Sequence, residues 1–139
     1  MQDNEKRTVL IVDDMNENIA LLVNILQKDY TIKAAQNGRS ALRIAGSETP
    51  PDLILLDIVM PGLDGYDVCR KLKEDPKTRH IPVLFITAKK HTEDETKGLA
   101  LGAVDYITKP INPSIVLARV KTHMDLKTHR ADMERALKA

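Results

Sequence analysis

Five polar side chains stand at the ends of short strand-like runs, and their types suit metal and phosphoryl chemistry. The run Leu53–Leu56 is aliphatic throughout and stops at Asp57. A run with no polar face is typical of a strand that is buried on both sides. The other four residues also follow strand-like runs, and they are Asp13, Asp14, Thr87 and Lys109. A fold that gathers these ends would assemble three carboxylates, a hydroxyl and an amine.

Strand and helix patterns alternate five times along the chain. The predicted strands are Val9–Val12, Tyr30–Ala35, Leu53–Leu56, Ile81–Ile86 and Asp105–Thr108. Helix starts are indicated at Asn16, Gly38 and Asp64, by the capping box Thr92–Glu95, and by Asn112-Pro113. Connections of this length between buried strands indicate a parallel sheet with helices on both faces. The prediction is an α/β, flavodoxin-like (βα)5 fold with strand order 2-1-3-4-5 and an extended C-terminal helix.

The carboxyl ends of parallel strands meet at one edge of a sheet, so this order brings the polar residues together. Closely placed carboxylates of Asp13, Asp14 and Asp57 would repel one another and raise one another's pKa values. A divalent cation relieves that repulsion, and a few carboxylates with room for water suit Mg²⁺ better than zinc. A solvated strand end is the commoner explanation for any one of these residues, but a poor explanation for the whole set.

A carboxylate beside Mg²⁺ can attack phosphorus and form an aspartyl phosphate. The set therefore predicts Asp57 as the nucleophile, and Asp13 and Asp14 together with Asp57 as metal ligands. Lys109 would pair with one phosphoryl oxygen, and the Thr87 hydroxyl or backbone N–H groups would bind another.

The motifs at these positions resemble those of the receiver domain of two-component response regulators, over a span from Lys6 to about His123. The matching segments are Val12–Asp14, Leu56-Asp57, Met60–Gly65, Ile86–Ala88, Gly102-Ala103 and Thr108–Pro110. The resemblance implies that Asp57 accepts a phosphoryl group from a histidine of a sensor kinase or phosphotransfer protein. It implies a signalling domain that promotes its own phosphorylation and dephosphorylation, with any output enzyme outside this chain.

The resemblance also implies roles for individual residues around the site. The backbone carbonyl of Val59 would complete the Mg²⁺ site, the backbone of Ala88 would contact the phosphoryl group, and the Lys109–Pro110 peptide would be cis. Phosphorylation would draw the Thr87 hydroxyl inward and let Tyr106 swing in after it. The output face would then be formed by the fourth helix, the fifth strand and the fifth helix. From the residues alone, Tyr106 reads as an ordinary half-buried strand tyrosine.

Composition limits the class of protein. A chain of 139 residues that is 42% hydrophobic suits one domain, and 21 Lys and Arg against 20 Asp and Glu predict neither nucleic-acid nor membrane binding. A polar start and the lack of a long apolar stretch argue against a signal peptide and a membrane span, and a single cysteine fits a reducing cytoplasm. Cys69 is expected to be a packed, inert thiol. We expect solvated positions for all four histidines, which are His80, His91, His123 and His129.

The last residues continue as good helix formers. We place the receiver domain at residues 1–124 and a helical extension or linker at 125–139. Leu126, Met133 and Leu137 form a broken heptad with Arg130. We expect this extension to pair with a second copy or to lead to an output domain, by analogy one that handles cyclic di-GMP. A solvated helix end that frays is the alternative.

Three other functions compete with a phosphoacceptor. An Mg²⁺-dependent phosphohydrolase could use Asp57 on a free substrate, but no long loop is present to cover one. A flavodoxin-like nucleotide carrier would need a phosphate-binding loop after the first strand, where Asp13–Glu17 is acidic. A pure docking module would have no need of the acidic cluster.

Overall fold

The computed structural model describes residues 6–88 and 92–138, and the side chains of 92–95 and 138 are left out of the description. Five strands and five helices alternate, which are β1 (Thr8–Val12), α1 (Asn16–Leu26), β2 (Thr31–Ala35), α2 (Gly38–Ala45), β3 (Leu53–Asp57), α3 (Gly65–Glu74), β4 (Val83–Thr87), α4 (Thr92–Ala100), β5 (Asp105–Thr108) and α5 (Pro113–Lys138). All four strand pairs are parallel, and the order is β2-β1-β3-β4-β5. The predicted fold class and strand order are confirmed.

The sheet is covered on both faces because its central strands have apolar side chains at every position. Successive residues of a strand point to opposite faces, and in β1 Leu10 and Val12 join one buried cluster while Val9 and Ile11 join the other. The first cluster packs against α2 and α3 through residues such as Ala41, Ala45, Val68, Cys69 and Leu72. The second packs against α1 and α5 through Leu22, Leu26, Val116, Val120 and Met124. These two layers hold the strand ends rigidly in place.

Helices α2, α3 and α5 begin at the predicted signals. The Asn37 side chain accepts a hydrogen bond from the Ser40 N–H at 2.9 Å. Asp64 and Asp67 form a reciprocal capping box at the start of α3. At α5, Asn112 Oδ1 accepts from the N–H of Ser114 at 2.9 Å, with Pro113 as the first helical residue. The capping box predicted at Thr92–Glu95 involves side chains outside the described part of the chain.

Two strands start later than predicted, for local reasons. The Tyr30 N–H bonds to the carbonyl of Leu26 and so continues the end of α1, which leaves Thr31 to open β2. Ile81 donates to Thr78 within a turn, and Pro82 has no N–H to give to a ladder. Strand β4 therefore begins at Val83 and extends to include Thr87.

Helix α5 is 26 residues long and packs against the sheet over its first half. Among the described residues, no helix is both long enough and apolar enough to cross a membrane. Cys69 is fully buried, and desolvation raises the pKa of its thiol, as expected for a packed cysteine.

Candidate functional site

The site lies at the carboxyl edge of the sheet, where three neighbouring strands end. Asp13 directly follows β1, while Asp57 and Thr87 are the last residues of β3 and β4. Carboxylate oxygens of Asp13, Asp14 and Asp57 lie within 4.8 Å of one another. The sheet order therefore brings together the three acids that the sequence placed at strand ends.

The two inner acids are almost removed from water. Asp13 is 1% exposed and Asp57 is 4% exposed, whereas Asp14 is exposed. Asp13 Oδ1 accepts a hydrogen bond from the Met15 N–H at 2.9 Å. Its other oxygen, Oδ2, has no hydrogen-bond partner among the described residues. A buried carboxylate oxygen without a donor is costly, and a bound cation would remove that cost.

Among the described residues, Lys109 is the cation paired with both buried acids. Its Nζ lies 3.4 Å from Asp57 Oδ1 and 3.9 Å from Asp13 Oδ2. Burial and the neighbouring Asp13 raise the pKa of Asp57 to about 6, and Lys109 opposes that rise. Within the described part of the chain, one lysine is shared by two buried carboxylates. This leaves the described cluster short of positive charge, as the predicted Mg²⁺ site requires.

The effect of Lys109 on the pKa of Asp57 gives a first prediction. In Lys109→Met, which keeps most of the aliphatic stem, we expect the pKa of Asp57 to rise above its value of about 6 because the opposing charge is lost. A pH titration of the Asp57 side-chain carbonyl signal by carbon NMR, without divalent cations, measures this directly. Lys33→Met is the control, since Lys33 binds Thr49 away from the site. An unchanged or lower Asp57 pKa in Lys109→Met would contradict the electrostatic account.

The donor set fits Mg²⁺ better than a transition metal. Within the described part of the chain, this is the one cluster of three or more acidic, histidine or cysteine side chains that could hold an ion, and all three members are aspartates. Mg²⁺ prefers oxygen ligands and keeps several water molecules. The exposure of Asp14 leaves an open side for such waters.

Gly65 allows α3 to start directly against the end of β3. Its N–H donates to the Ile58 carbonyl at 2.8 Å, and a Cβ at this position would lie 2.4 Å from the Asp57 carbonyl oxygen and 2.7 Å from Ile58 Cα. These contacts are with backbone atoms, which have little room to move. The residue therefore fixes the loop that follows Asp57.

This crowding predicts a strong effect of a single methyl group. We expect Gly65→Ala to lower the free energy of unfolding by about 2 kcal/mol, in the range that overpacked interiors show. Gly46→Ala is the matched control because its Cβ would come no closer than 3.5 Å to the Leu42 carbonyl oxygen, and we expect a change within about 0.5 kcal/mol. Urea unfolding of both variants measures the difference. Equal stability of the two variants would refute the close approach.

The predicted switch residues, Thr87 and Tyr106, line the same cavity. Thr87 is buried and Tyr106 is half-buried. Both line one small cavity with Phe85, which lies on β4 directly opposite Tyr106 of β5. The Lys109 N–H donates to the Thr87 carbonyl at 2.8 Å, and the Lys109–Pro110 peptide is cis, as expected.

The other two predicted site residues, Val59 and Ala88, are expected to act through backbone groups. Val59 lies two residues after Asp57 and is 68% exposed, and Ala88 is exposed just after β4.

The prediction of a solvated position for His123 is wrong. Its Nε2 lies 3.0 Å from Asp105 Oδ2 and its side chain is 13% exposed. Arg119, one turn earlier on α5, approaches the same carboxylate oxygen at 3.8 Å and donates to the Tyr106 carbonyl at 3.1 Å. The four-residue spacing of Arg119 and His123 indicates that they lie on the same face of a helix. Their shared partner on β5, Asp105, becomes visible only in the fold.

Comparison with known proteins agrees with this geometry. A family model described as "Response regulator receiver domain" matches residues 9–121. The chain belongs to this family. Receiver domains are phosphoacceptor signalling domains that bind Mg²⁺ through acidic residues and work with histidine kinases or phosphotransfer proteins. Membership therefore favours a phosphoacceptor over a phosphohydrolase acting on a free substrate.

Individual relatives support the same assignment. A Vibrio cholerae serotype O1 protein named "Probable cyclic di-GMP phosphodiesterase" is 48% identical over 127 residues, which are 91% of this chain and 29% of that protein. The response regulator PleD of Caulobacter vibrioides is 47% identical over 115 residues, 82% of this chain and 25% of PleD. The receiver domain thus spans only a quarter to a third of these relatives.

Solved structures show the same fold. The receiver domain of a signal transduction histidine kinase from Syntrophus aciditrophicus matches with a TM-score of 0.78 at 38% identity, covering 86% of this chain and 90% of that one. The chemotaxis protein CheY4 of Vibrio cholerae matches with a TM-score of 0.78 at 28% identity, covering 84% and 97%.

Proposed function

We propose that this receiver domain accepts a phosphoryl group on Asp57 from a phosphohistidine of a sensor kinase or phosphotransfer protein, in an Mg²⁺-dependent reaction. The observation that carries the proposal is the pairing of Asp57 with a second buried carboxylate, Asp13, whose Oδ2 has no hydrogen-bond donor among the residues that the structure describes. A simple structural role would not require two such charges side by side. A site that holds a cation and then a phosphoryl group requires both.

The proposed reaction is a displacement at phosphorus. An Asp57 carboxylate oxygen forms the new P–O bond, the P–N bond to the donor histidine breaks, and the electron pair of that bond returns to the imidazole nitrogen. Asp13, Asp14, Asp57 and the Val59 carbonyl would hold Mg²⁺, which would neutralise charge on the transferring group. Lys109, already 3.4 Å from Asp57 Oδ1, would pair with a phosphoryl oxygen.

The remaining phosphoryl oxygen is assigned to Thr87 and to the backbone of Ala88. Thr87 ends the strand next to β3 and shares a cavity with Tyr106. A shift of the Thr87 hydroxyl toward the phosphoryl group would change the space available to the Tyr106 ring. We assign Thr87 and Tyr106 as the switch, with α4, β5 and α5 as the output face.

Mass spectrometry of the intact protein tests the phosphoacceptor role. With acetyl phosphate and Mg²⁺ we expect an adduct of one phosphoryl group, labile to base and absent when a chelator is present. The adduct should be lost in Asp57→Asn and kept in Asp75→Asn, an exposed aspartate after α3. An adduct that persists in Asp57→Asn would sink the proposal.

We also propose that residues 1–124 form the receiver body and that residues 125–139 act as a linker toward an output domain. The lengths of both relatives support this, and the name of the Vibrio cholerae relative suggests an output of the cyclic di-GMP class. Such a regulator would work in the cytoplasm.

The same linker would allow two copies to pair through their last helices. Leu126, Met133 and Leu137 are more than half exposed, which supports an apolar contact between copies. We expect the chain to be a dimer in light scattering, and Leu126→Glu with Met133→Glu to make it a monomer because charges would enter the seam. The control pair Thr122→Glu with His129→Glu has the same seven-residue spacing on exposed positions. Equal masses for the two double variants would argue against the proposed contact between the last helices of two copies.

A further inference from the structure

The edge of the sheet opposite the acidic site holds a second set of charged contacts. Arg7 directly precedes β1, and Asp52 directly precedes β3. These are the two strands whose other ends carry Asp13 and Asp57. Both Arg7 and Asp52 reach the second half of α5, at Thr128 and Lys127, more than seventy residues away along the chain.

Arg7 binds α5 at two points one turn apart. Its Nη1 donates to the Met124 carbonyl at 2.9 Å, and its Nη2 donates to the Thr128 hydroxyl oxygen. The Thr128 hydroxyl in turn donates to the same Met124 carbonyl at 3.1 Å. A guanidinium presents several donors in a fixed plane, so this contact fixes both the position and the rotation of the helix.

Lys127 provides a second, independent contact. Its Nζ lies 3.2 Å from Asp52 Oδ1 and 3.3 Å from the Asp52 carbonyl oxygen. Asp52 is itself held in place, since its Oδ2 accepts from the Thr8 N–H and its own N–H donates to the Thr8 carbonyl, both at 2.8 Å. The lysine therefore binds a carboxylate that is built into the central sheet.

The exposure of the residues of α5 to solvent increases after Thr128, where these contacts end. Lys127 and Thr128 are half-buried, whereas every residue from His129 to Leu137 is exposed. Within 129–138, the contact described between charged side chains is that of Arg135 with Asp132, inside the helix itself. An isolated helix of about ten residues is marginal in water, so these residues depend on the docked part of α5 for a helical start.

We propose that Arg7, Asp52, Lys127 and Thr128 form a basal clamp that makes α5 part of the receiver body as far as Thr128. The first point at which the linker bends freely in a single copy then lies after Thr128, not after Met124. The clamp determines the direction in which residues 129–138 leave the body. It goes beyond the proposed phosphoacceptor chemistry and needs no phosphoryl group.

Amide hydrogen exchange of the full chain tests the clamp. In the wild-type protein, at a concentration where it is monomeric, we expect protection through Thr128 and rapid exchange after it. In Lys127→Met with Thr128→Val, both on the surface of α5, we expect residues 125–128 to exchange about tenfold faster or more, since loss of two contacts favours local opening. Lys121→Met is the control because Lys121 pairs with Asp125 inside the helix at 2.9 Å.

A second variant approaches the clamp from the sheet. Arg7→Gln should expose the same four residues, while Lys6→Gln, next to it in sequence, should not. Acetyl phosphate should still modify all these variants, which separates failure of the clamp from failure of the proposed function. Wild-type exchange that is already rapid from Asp125 onward, or unchanged exchange in Lys127→Met with Thr128→Val, would overturn the clamp.

Discussion

Asp13→Asn is expected to slow Mg²⁺-dependent phosphorylation of this receiver domain by about 100-fold. The substitution replaces the buried Oδ2, which has no donor within the described part of the chain, and removes one of the three acids of the proposed metal site. A catalytic metal contributes several kcal/mol to charge stabilisation, and about 2.7 kcal/mol corresponds to a factor of 100 in rate. Growth of the phosphorylated mass with acetyl phosphate, followed at several Mg²⁺ concentrations, measures the effect.

The direction of this effect distinguishes metal binding from simple repulsion. Asp13 also raises the pKa of Asp57, so its removal leaves Asp57 more readily ionised. If the metal were unimportant, Asp13→Asn would leave the rate unchanged or raise it. Asp29→Asn, an exposed aspartate at the other end of the sheet, should behave as the wild type. Equal phosphorylation rates in Asp13→Asn and Asp29→Asn would contradict a role for Asp13 in binding the metal.

In protein stripped of divalent cations, Asp57→Asn is expected to raise the free energy of unfolding at pH 7 by about 2–3 kcal/mol. Burial and Asp13 raise the folded-state pKa of Asp57 from 3.8 to about 6. Between those values the folded protein binds more protons than the unfolded chain, so stability falls as pH rises from about 4 to about 6. Above pH 6 the folded state bears the whole cost of the buried charge, which asparagine removes.

Urea unfolding between pH 4 and 8, with a chelator, tests this prediction. The wild type should lose stability across that window more steeply than Asp57→Asn, and the two curves should converge near pH 4. Mg²⁺ should stabilise the wild type at pH 7 more than the variant, because the cation binds the ionised site. An Asp57→Asn protein that is less stable than the wild type at pH 7 would show that Asp57 is held by favourable contacts instead.

The acidic site was predictable from the sequence because its residues end apolar runs. Once the strand order is known, the carboxyl ends of β1 and β3 must be neighbours, and Asp13 and Asp57 must meet. The sequence also predicted that Lys109, which follows the fifth strand, would supply a positive charge to the site. Its closer approach to Asp57 than to Asp13 depends on packing that no local pattern encodes.

The contacts that the sequence did not predict join residues far apart in the chain. Arg7 and Met124 are separated by 117 positions, and Asp52 and Lys127 by 75. Their charges look like ordinary solvated residues until the fold places them at the same edge. His123 is similar, because Asp105 becomes its partner only when α5 packs beside β5. Helical spacing predicted the buried face of α5 but not the polar partners at its margins.

Identification of the modified residue tests the central claim most directly. Borohydride reduces an aspartyl phosphate to homoserine, so the protein is treated with acetyl phosphate and Mg²⁺, reduced, digested with trypsin and sequenced by mass spectrometry. The account predicts homoserine at position 57, within the peptide 44–70, and none at Asp52, Asp64 or Asp67 of that peptide. Homoserine at Asp13, Asp14 or Asp64 instead, or a phosphoryl group that borohydride does not remove, would contradict it.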